Sequence, residues 1–496
     1  VSIRTLADRV PVGVPAAVVV AVSGLATIDS PGMWTDEAAS VYFADRPTGG
    51  LLRLVTVDEA NMGPYYLFVH VWRLAGDSDA WFRLPSLVAA VAAVLVLARI
   101  VLRWTGERST AEMSAVVLAL LPTMRFQAVE ARGYTIVMLL GVLAVASLGA
   151  PDEGPRVRPL LLGTCVGLAT ALNVTAAAMV AAPLALLALT GSIRSEGRRL
   201  ALAGGVALMW FAPFAYPFVV NDTQIDWIPE RTIGQAYSRS LAGEPLLTHL
   251  VWACMLVCLA VGTVHLVRRE PARQRTRFAL AMAIGGLAPF LTLVVGGWWR
   301  GPMFVARYAI VALPPLAVCV ALAPRALLDA LPGRHSPRRH SPRTPTIVAA
   351  VLVVLVASAS WLQRGPLTDR SLLADYRATV DHLRENASPG DTVVIVRRFA
   401  WWGLARYDAD DLGLQVVSPA AVDSNVDPGD AVGRLVDAEI DPSADVWLIR
   451  PSGERPQGEL ARLMRELRRQ GTVETLRFEG LVVVHITPDP TADLRR

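Results

Sequence analysis

The 496-residue chain contains no lysine, so its formal charge of +4 is set by arginine against aspartate and glutamate. With its abundant alanine, valine and glycine, this points to a GC-rich bacterial genome. The arginines sit in short loops between apolar runs, so the positive balance gives no support to a nucleic-acid partner. Charge of either sign is scarce: 18% of residues are charged, 53% are hydrophobic, and the mean hydropathy is +0.43. Soluble domains carry more charge than that, which excludes a wholly soluble protein. Cysteine is scarce too. Cys165, Cys254, Cys258 and Cys319 all lie inside apolar runs. Cys254 and Cys258 are one helical turn apart, with no histidine or further cysteine nearby to complete a metal site. All four read as small buried hydrophobes. No small-x-small site follows the first apolar run, which argues against a cleaved signal. The polar C-terminal part has no glycine-rich phosphate loop; Ala387-Ser388-Pro389-Gly390-Asp391 is a turn before a strand.

What the chain does have is apolar runs long enough to cross a bilayer, recurring through its first three quarters. The expected fold class is an α-helical polytopic membrane protein of about 11 transmembrane helices. The first span covers residues 10–28, the second 81–101, and a short third 113–124. A fourth ends near 148. Residues 160–190 are too long for one span at about 1.5 Å per residue, and both ends meet basic loops. Two short spans with a tip at Asn173-Val174-Thr175 resolve this. Further spans are expected at 200–220, 249–267, 278–295, 309–322 and 346–361. Every strongly basic loop (Arg103 and Arg108, Arg156 and Arg158, Arg194 to Arg199, Arg268 to Arg277, Arg334 to Arg343) then falls on one face. The positive-inside rule makes that face cytoplasmic, with the N-terminus on it and the C-terminal domain extracytoplasmic. Residues 324–345, with repeated Ser-Pro, read as a flexible linker.

Two domains are therefore expected: a transmembrane domain over residues 1–363 and a soluble α/β domain over 364–496. In the second, 373–386 is an amphipathic helix, 392–396 and 445–449 are buried strands, and 459–470 is helical. Residues 473–478 and 481–486 form a hairpin about Glu479-Gly480.

The chemistry gathers in the predicted outer loops. Directly after the first span comes Gly32-Met33-Trp34-Thr35-Asp36-Glu37-Ala38, two adjacent carboxylates where the chain leaves the membrane. Ionisable groups there are costly, which makes function the default reading; a plain helix start is the alternative, since acids favour a first helical turn. Next comes an acidic and aromatic stretch with Asp58, Glu59, Asn61, Tyr65 and Tyr66, running into an amphipathic piece suited to the outer interface. Arg83, Arg132, Arg300 and Arg307 lie on the same face, away from the positive-inside side. A single arginine there can simply snorkel. Several beside a carboxylate pair suit a different task, because carboxylates supply a base and guanidinium groups clamp a phosphate bidentately. The combination fits transfer from a lipid phosphate to a hydroxyl, the base deprotonating the acceptor and the arginines holding the departing charge.

These pieces resemble the integral-membrane GT-C glycosyltransferases, in the family 39-like branch that includes protein O-mannosyltransferases and the lipid A aminoarabinose transferase. Trp34-Thr35-Asp36-Glu37-Ala38 looks like the first-loop acidic motif. Asp58-Glu59-Ala60-Asn61-Met62-Gly63-Pro64-Tyr65-Tyr66 looks like the motif that follows it. Arg83-Leu84-Pro85-Ser86, Glu130-Ala131-Arg132-Gly133-Tyr134, and Arg307-Tyr308 ahead of Pro314-Pro315 complete the series in family order. The resemblance covers residues 11–322 and departs from the family in Asn61-Met62-Gly63, where relatives carry His-Pro-Pro, and in the missing lysine. It implies a polyprenyl-phosphate sugar donor, an acceptor hydroxyl on the outer face of the cytoplasmic membrane, and an inverting single displacement. Asp36 is then the base and Glu37 aids donor or acceptor binding. Arg132 and Arg307 are the phosphate ligands, with Arg83 and Arg300 behind them. Asp58, Glu59, Asn61, Tyr65, Tyr66, Glu130 and Tyr308 are substrate-binding candidates. No cofactor or resident metal is expected, although Mg²⁺ or Mn²⁺ at Asp36 and Asp222 would be chemically compatible. The partners are the lipid-linked donor, membrane lipids and a glycan, lipid or protein acceptor, with mannose or a pentose as the sugar. A transporter or flippase for a lipid-linked sugar, and a non-catalytic cell-envelope scaffold, are the competing readings. The first would place ionisable groups near midplane on repeated, broken helices, whereas here they cluster in outer loops.

Overall fold

In the computed structural model, residues 10–30, 32–58, 62–149, 156–220, 228, 232, 234–235, 245–267, 274–301, 303–330, 374–396, 400–407, 409–417, 444–452, 458–478 and 480–488 are described. The chain divides into two compact units, Val1–Ile28 with Pro47–Leu367, and Asp29–Arg46 with Thr368–Arg496.

The first unit is helical. Among the described residues, five helices are long and apolar enough to cross a membrane: Asp79–Thr105, Gly197–Val220, Leu246–Val267, Gln274–Trp298 and Ala306–Leu327. Shorter apolar helices include Val14–Leu25, Tyr134–Ala146 and Pro159–Leu172. The long apolar stretch from 160 to 190 is split as its length demands. Helix Pro159–Leu172 stops at Asn173, a 3-10 turn covers Val174–Val180, and helix Ala181–Leu189 follows. Asn173 caps the turn, its Oδ1 accepting from the backbone N–H and the hydroxyl of Thr175 at 3.2 and 2.8 Å. Small residues let neighbouring backbones approach. A Cβ at Gly163 or Gly167 would collide with the carbonyls of Ala203 and Ala207 on helix Gly197–Phe211.

The run expected as a third span differs from the expectation. Helix Arg108–Leu120 ends and a separate short helix, Pro122–Gln127, begins after it. The cause is Pro122: it bars Leu121 from the helical region, and Leu121 is extended at ψ 126°. The expected last span at 346–361, the linker beyond residue 330 and nearly all of the 221–244 loop lie outside the described residues.

The second unit is built on a five-stranded sheet, in the order β2-β1-β3-β5-β4. The strands are β1 Thr392–Ile395, β2 Gln415–Val417, β3 Val446–Pro451, β4 Gly471–Phe478 and β5 Leu481–Pro488. β1 pairs in parallel with β2 and β3, while β5 is antiparallel to β3 and β4. The β4–β5 hairpin closes with Phe478 opposite Leu481, and Gly480 takes the positive φ of 66° that the two-residue turn requires. Alternation sorts the strand residues onto two faces. On one, Val393, Ile395, Trp447, Ile449 and Val483 meet Tyr376, Val380 and Leu383 of helix Tyr376–Asn386. On the other, Val394, Leu448, Val482 and Val484 meet Leu463 and Met464 of helix Gly458–Gln470.

A single division near residue 363 leaves out one feature of this unit. Residues 29–46, far away in sequence, belong with it. They carry helix Thr35–Ala44, whose Phe43 meets Trp402 edge to face at 5.0 Å between ring centroids.

Candidate active site

The acidic helix of the second unit starts at Thr35 with Trp34 extended before it (φ −88°, ψ 174°). This puts Asp36 and Glu37 in the first turn, where unpaired backbone N–H groups favour negative charge. The two carboxylates have different surroundings. Glu37 is buried, at 1% exposure, and its Oε2 accepts from the Trp34 backbone N–H at 3.4 Å. That is the reaching-back half of a capping box. Asp36 is half-buried, and its own carbonyl accepts from the Ser40 hydroxyl at 3.0 Å.

The segment before the helix is fastened at several points to the rest of the same unit. The Met33 N–H donates to the Tyr407 hydroxyl at 2.5 Å. Arg377 pairs with the Asp29 carboxylate at 3.6 Å and donates to its carbonyl at 3.3 Å. The Thr35 and Tyr376 hydroxyls are bonded at 2.9 Å. Burial pushes the Tyr376 phenol up to about 12, the Thr35 bond works against that rise, and the Asp36 charge adds to it. Gly32 allows the close approach: a Cβ there would lie 2.9 Å from Arg377 Cβ and 3.0 Å from the Tyr407 hydroxyl.

In the first unit, residues of two motifs far apart in sequence meet at Tyr134, the first residue of helix Tyr134–Ala146. The Arg132 guanidinium lies 5.7 Å from the Tyr134 ring centroid and that of Arg307 lies 5.9 Å from it. Arg307 Nε also donates to the Tyr134 hydroxyl at 3.2 Å. The rings of Tyr134 and Tyr308 are 6.3 Å apart. Both guanidinium groups are thus within cation–π range of one ring.

Short polar residues hold this cluster. The Ser86 hydroxyl donates to the Arg132 carbonyl at 2.8 Å, and the Ser86 carbonyl accepts from the Thr135 hydroxyl at 2.9 Å. Asn173 Nδ2 donates to the Tyr308 carbonyl at 3.2 Å, and the Thr175 hydroxyl shares its one proton between Asn173 Oδ1 and that carbonyl, the latter at 3.1 Å. A Cβ at Gly133 would lie 3.2 Å from Met62 Sδ and 3.5 Å from the Tyr65 ring, so glycine there admits the second motif. Met62 itself has φ 63°, the one non-glycine with positive φ among the described residues. This strained conformation delivers Tyr65 and Tyr66 to buried positions one turn into helix Gly63–Trp72.

Arg83 is buried at 2% exposure and donates to the Ile28 carbonyl at 2.9 Å, tying down the chain just past helix Val14–Leu25. Its neighbour Pro85 lies inside helix Asp79–Thr105 and leaves the Trp81 carbonyl without its helical donor. The Trp72 indole supplies one instead, at 3.0 Å. Glu130 is buried in the turn before the cluster, its carbonyl accepting from the Arg132 N–H at 2.8 Å. Glu59 and Asn61 lie outside the described residues, as do the side chains of Asp58 and Arg300. Among the described residues no group of three histidine, cysteine, aspartate or glutamate side chains is placed to hold a metal ion.

The sequence motifs thus brought Arg132, Arg307, Tyr308 and Tyr65 into one neighbourhood. Ser86, Tyr134, Asn173 and Thr175 carry no charge to single them out, and only their contacts reveal their part. Ser86 and Tyr134 did stand inside the quoted motifs.

No protein-family model matches the chain, and no curated protein matches its sequence. Its fold does match solved structures. ArnT from Cupriavidus metallidurans in the apo state aligns over 95% of this chain and 97% of its own, at 14% identity and a TM-score of 0.57. The same protein bound to undecaprenyl phosphate aligns over the same shares at 14% identity and a TM-score of 0.53. The chain has the GT-C fold of integral-membrane glycosyltransferases, the fold to which its motifs pointed.

Proposed function

We propose that this protein transfers a sugar from a polyprenyl-phosphate donor to an acceptor hydroxyl at the outer face of the cytoplasmic membrane. The observation that carries the reading is the convergence of Arg132 and Arg307 on Tyr134 from motifs far apart in sequence. The likeness in fold to ArnT, a protein captured with undecaprenyl phosphate, adds support.

In this reading Asp36 is the general base. The acceptor hydroxyl gives its proton to the Asp36 carboxylate, and the acceptor oxygen attacks the anomeric carbon of the donor. The anomeric carbon–oxygen bond to phosphate breaks, and its electron pair leaves with the polyprenyl phosphate. The phosphate gains negative charge in that step, so arginines aimed at it stabilise the transition state more than the ground state. Arg132 and Arg307 take that role, with Tyr134 and Tyr308 holding the guanidinium planes. Tyr65, Tyr66 and Glu130 are the substrate-binding residues in this reading. Arg83, engaged with a backbone carbonyl, orders the chain leading out of the first helix. Glu37 holds the start of the helix that presents Asp36. A single displacement inverts the anomeric centre.

The test uses the purified protein in lipid with a panel of polyprenyl-phosphate sugars, mannosyl and pentosyl donors among them, and monitors release of free polyprenyl phosphate. Release by wild type and its loss in Asp36→Asn is the expected outcome. Equal release by both proteins would overturn Asp36 as the base. Saturable donor binding with no turnover by either would turn the reading toward transport.

A further inference from the structure

We propose that the C-terminal α/β unit orients the carboxylate of Asp36, with Tyr376 as the positioning residue. The inference deepens the function proposed above and rests on Asp36 being the base. By sequence, the acidic motif belongs to the loop that follows the first membrane helix. By contact it belongs to the C-terminal unit, more than 300 residues away along the chain.

Four features fix Tyr376. It is the first residue of helix Tyr376–Asn386, and the preceding Asp375 caps that helix by accepting from the Ala378 N–H at 3.0 Å. A side-chain cap of this kind holds the first turn in place. Its ring lies flat against Gly403 of helix Ala400–Arg406, where any Cβ would overlap it. The side chain is 1% exposed and packs in the apolar layer with Val380, Leu383 and Ile395 of the same unit. Its hydroxyl, the one polar atom of that ring, is spent on Thr35 at 2.9 Å.

Thr35 is the residue before Asp36, and it opens the acidic helix. A first helical turn frays readily, because its N–H groups have no partners within the helix. Without an anchor the Asp36 carboxylate would sweep a range of directions. The Tyr376–Thr35 bond removes that freedom from outside the helix. The Met33–Tyr407 bond does the same two residues earlier, and the Trp402–Phe43 contact secures the far end. A general base must sit within hydrogen-bond reach of the proton it removes. An error of about 1 Å can cost on the order of 100-fold in rate.

A double-mutant cycle in kcat isolates the bond from general damage. Tyr376→Phe and Thr35→Val each remove one hydroxyl and keep the side-chain shape. Donor turnover is followed in the full-length protein for wild type, both single variants, the double variant and Asp36→Asn. Each single variant is expected to lose about tenfold in kcat with donor KM unchanged. The double variant should lose no more than either single one, because the same bond is removed by both. Additive losses, or wild-type kcat in Tyr376→Phe, with Asp36→Asn inactive, would overturn the positioning role and leave the base assignment intact. Full turnover by Asp36→Asn would overturn the base assignment and this inference together. Should Tyr376→Phe fail to fold, Thr35→Val with wild-type kcat overturns the inference on its own.

Discussion

Replacing Tyr134 by phenylalanine takes one oxygen from the arginine cluster and leaves the ring that both guanidinium groups approach. The lost contact is the bond from Arg307 Nε, at 3.2 Å. A hydrogen bond to a charged group contributes about 1.5–3 kcal/mol. This one is on the long side and Arg307 is half-buried, so the lower end applies. About 1.4 kcal/mol is a tenfold change, so kcat/KM should fall about tenfold. The ring contacts at 5.7 and 5.9 Å survive in this variant. Tyr134→Leu removes them as well. Cation–π contacts contribute roughly 0.5–2 kcal/mol each, so the leucine variant should lose on the order of a further tenfold. The phenylalanine variant should lose no more stability than the one Arg307 bond supplies, because the shape of the buried ring is preserved. The assay is the initial rate of polyprenyl-phosphate release in lipid against donor concentration. Two results would refute the reasoning: Tyr134→Phe with wild-type kcat/KM, or Tyr134→Leu no worse than Tyr134→Phe.

Ser86→Ala removes the donor to the buried Arg132 carbonyl, a bond contributing about 1 kcal/mol. A lower thermal midpoint together with a several-fold drop in kcat/KM is expected; a drop in neither would show that Ser86 does not hold Arg132. Glu37→Gln keeps an oxygen for the Trp34 N–H and removes the charge, whereas Glu37→Ala removes both. If Glu37 serves the helix start, the glutamine variant retains most of the turnover, and the alanine variant loses stability by about 1 kcal/mol. Inactive but fully stable Glu37→Gln would instead place Glu37 in the chemistry.

The division into a helical part and an α/β part was legible because periodicity changes sharply along the chain. The strand at Thr392 to Ile395, the strand beginning at Val446 and the hairpin about Gly480 all stand where alternation and turn chemistry put them. The break of the 160–190 stretch at Asn173 followed from its length and from the basic loops at both of its ends. The break at Pro122 was missed because hydropathy does not register the restriction a proline places on the residue before it. What lay beyond sequence reading was partnership across long separations. Nothing at Thr35 indicates Tyr376, and nothing at Tyr308 indicates Asn173. Those bonds join neutral side chains in ordinary surroundings, and only the folded chain brings them together.

This bears on what the short motifs encode. Four of the five, each too brief to identify anything alone, interlock in their contacts. Within Arg83-Leu84-Pro85-Ser86, the proline leaves a carbonyl that the Trp72 indole occupies, and the serine holds the backbone of Arg132 from the fourth motif. Gly133 of that fourth motif admits Met62 and Tyr65 of the second. Tyr134 accepts from Arg307 of the fifth. The charged residues of these motifs would carry the reaction, but their small and neutral residues fix where the charges stand. A guanidinium group without its serine, glycine or tyrosine support would still be present and would be misplaced. Substitutions at Ser86, Gly133 and Tyr134 should therefore track substitutions at Arg132 and Arg307 in their effect on turnover, while substitutions at equally buried apolar positions, such as Val142 on the same helix, should act on stability first.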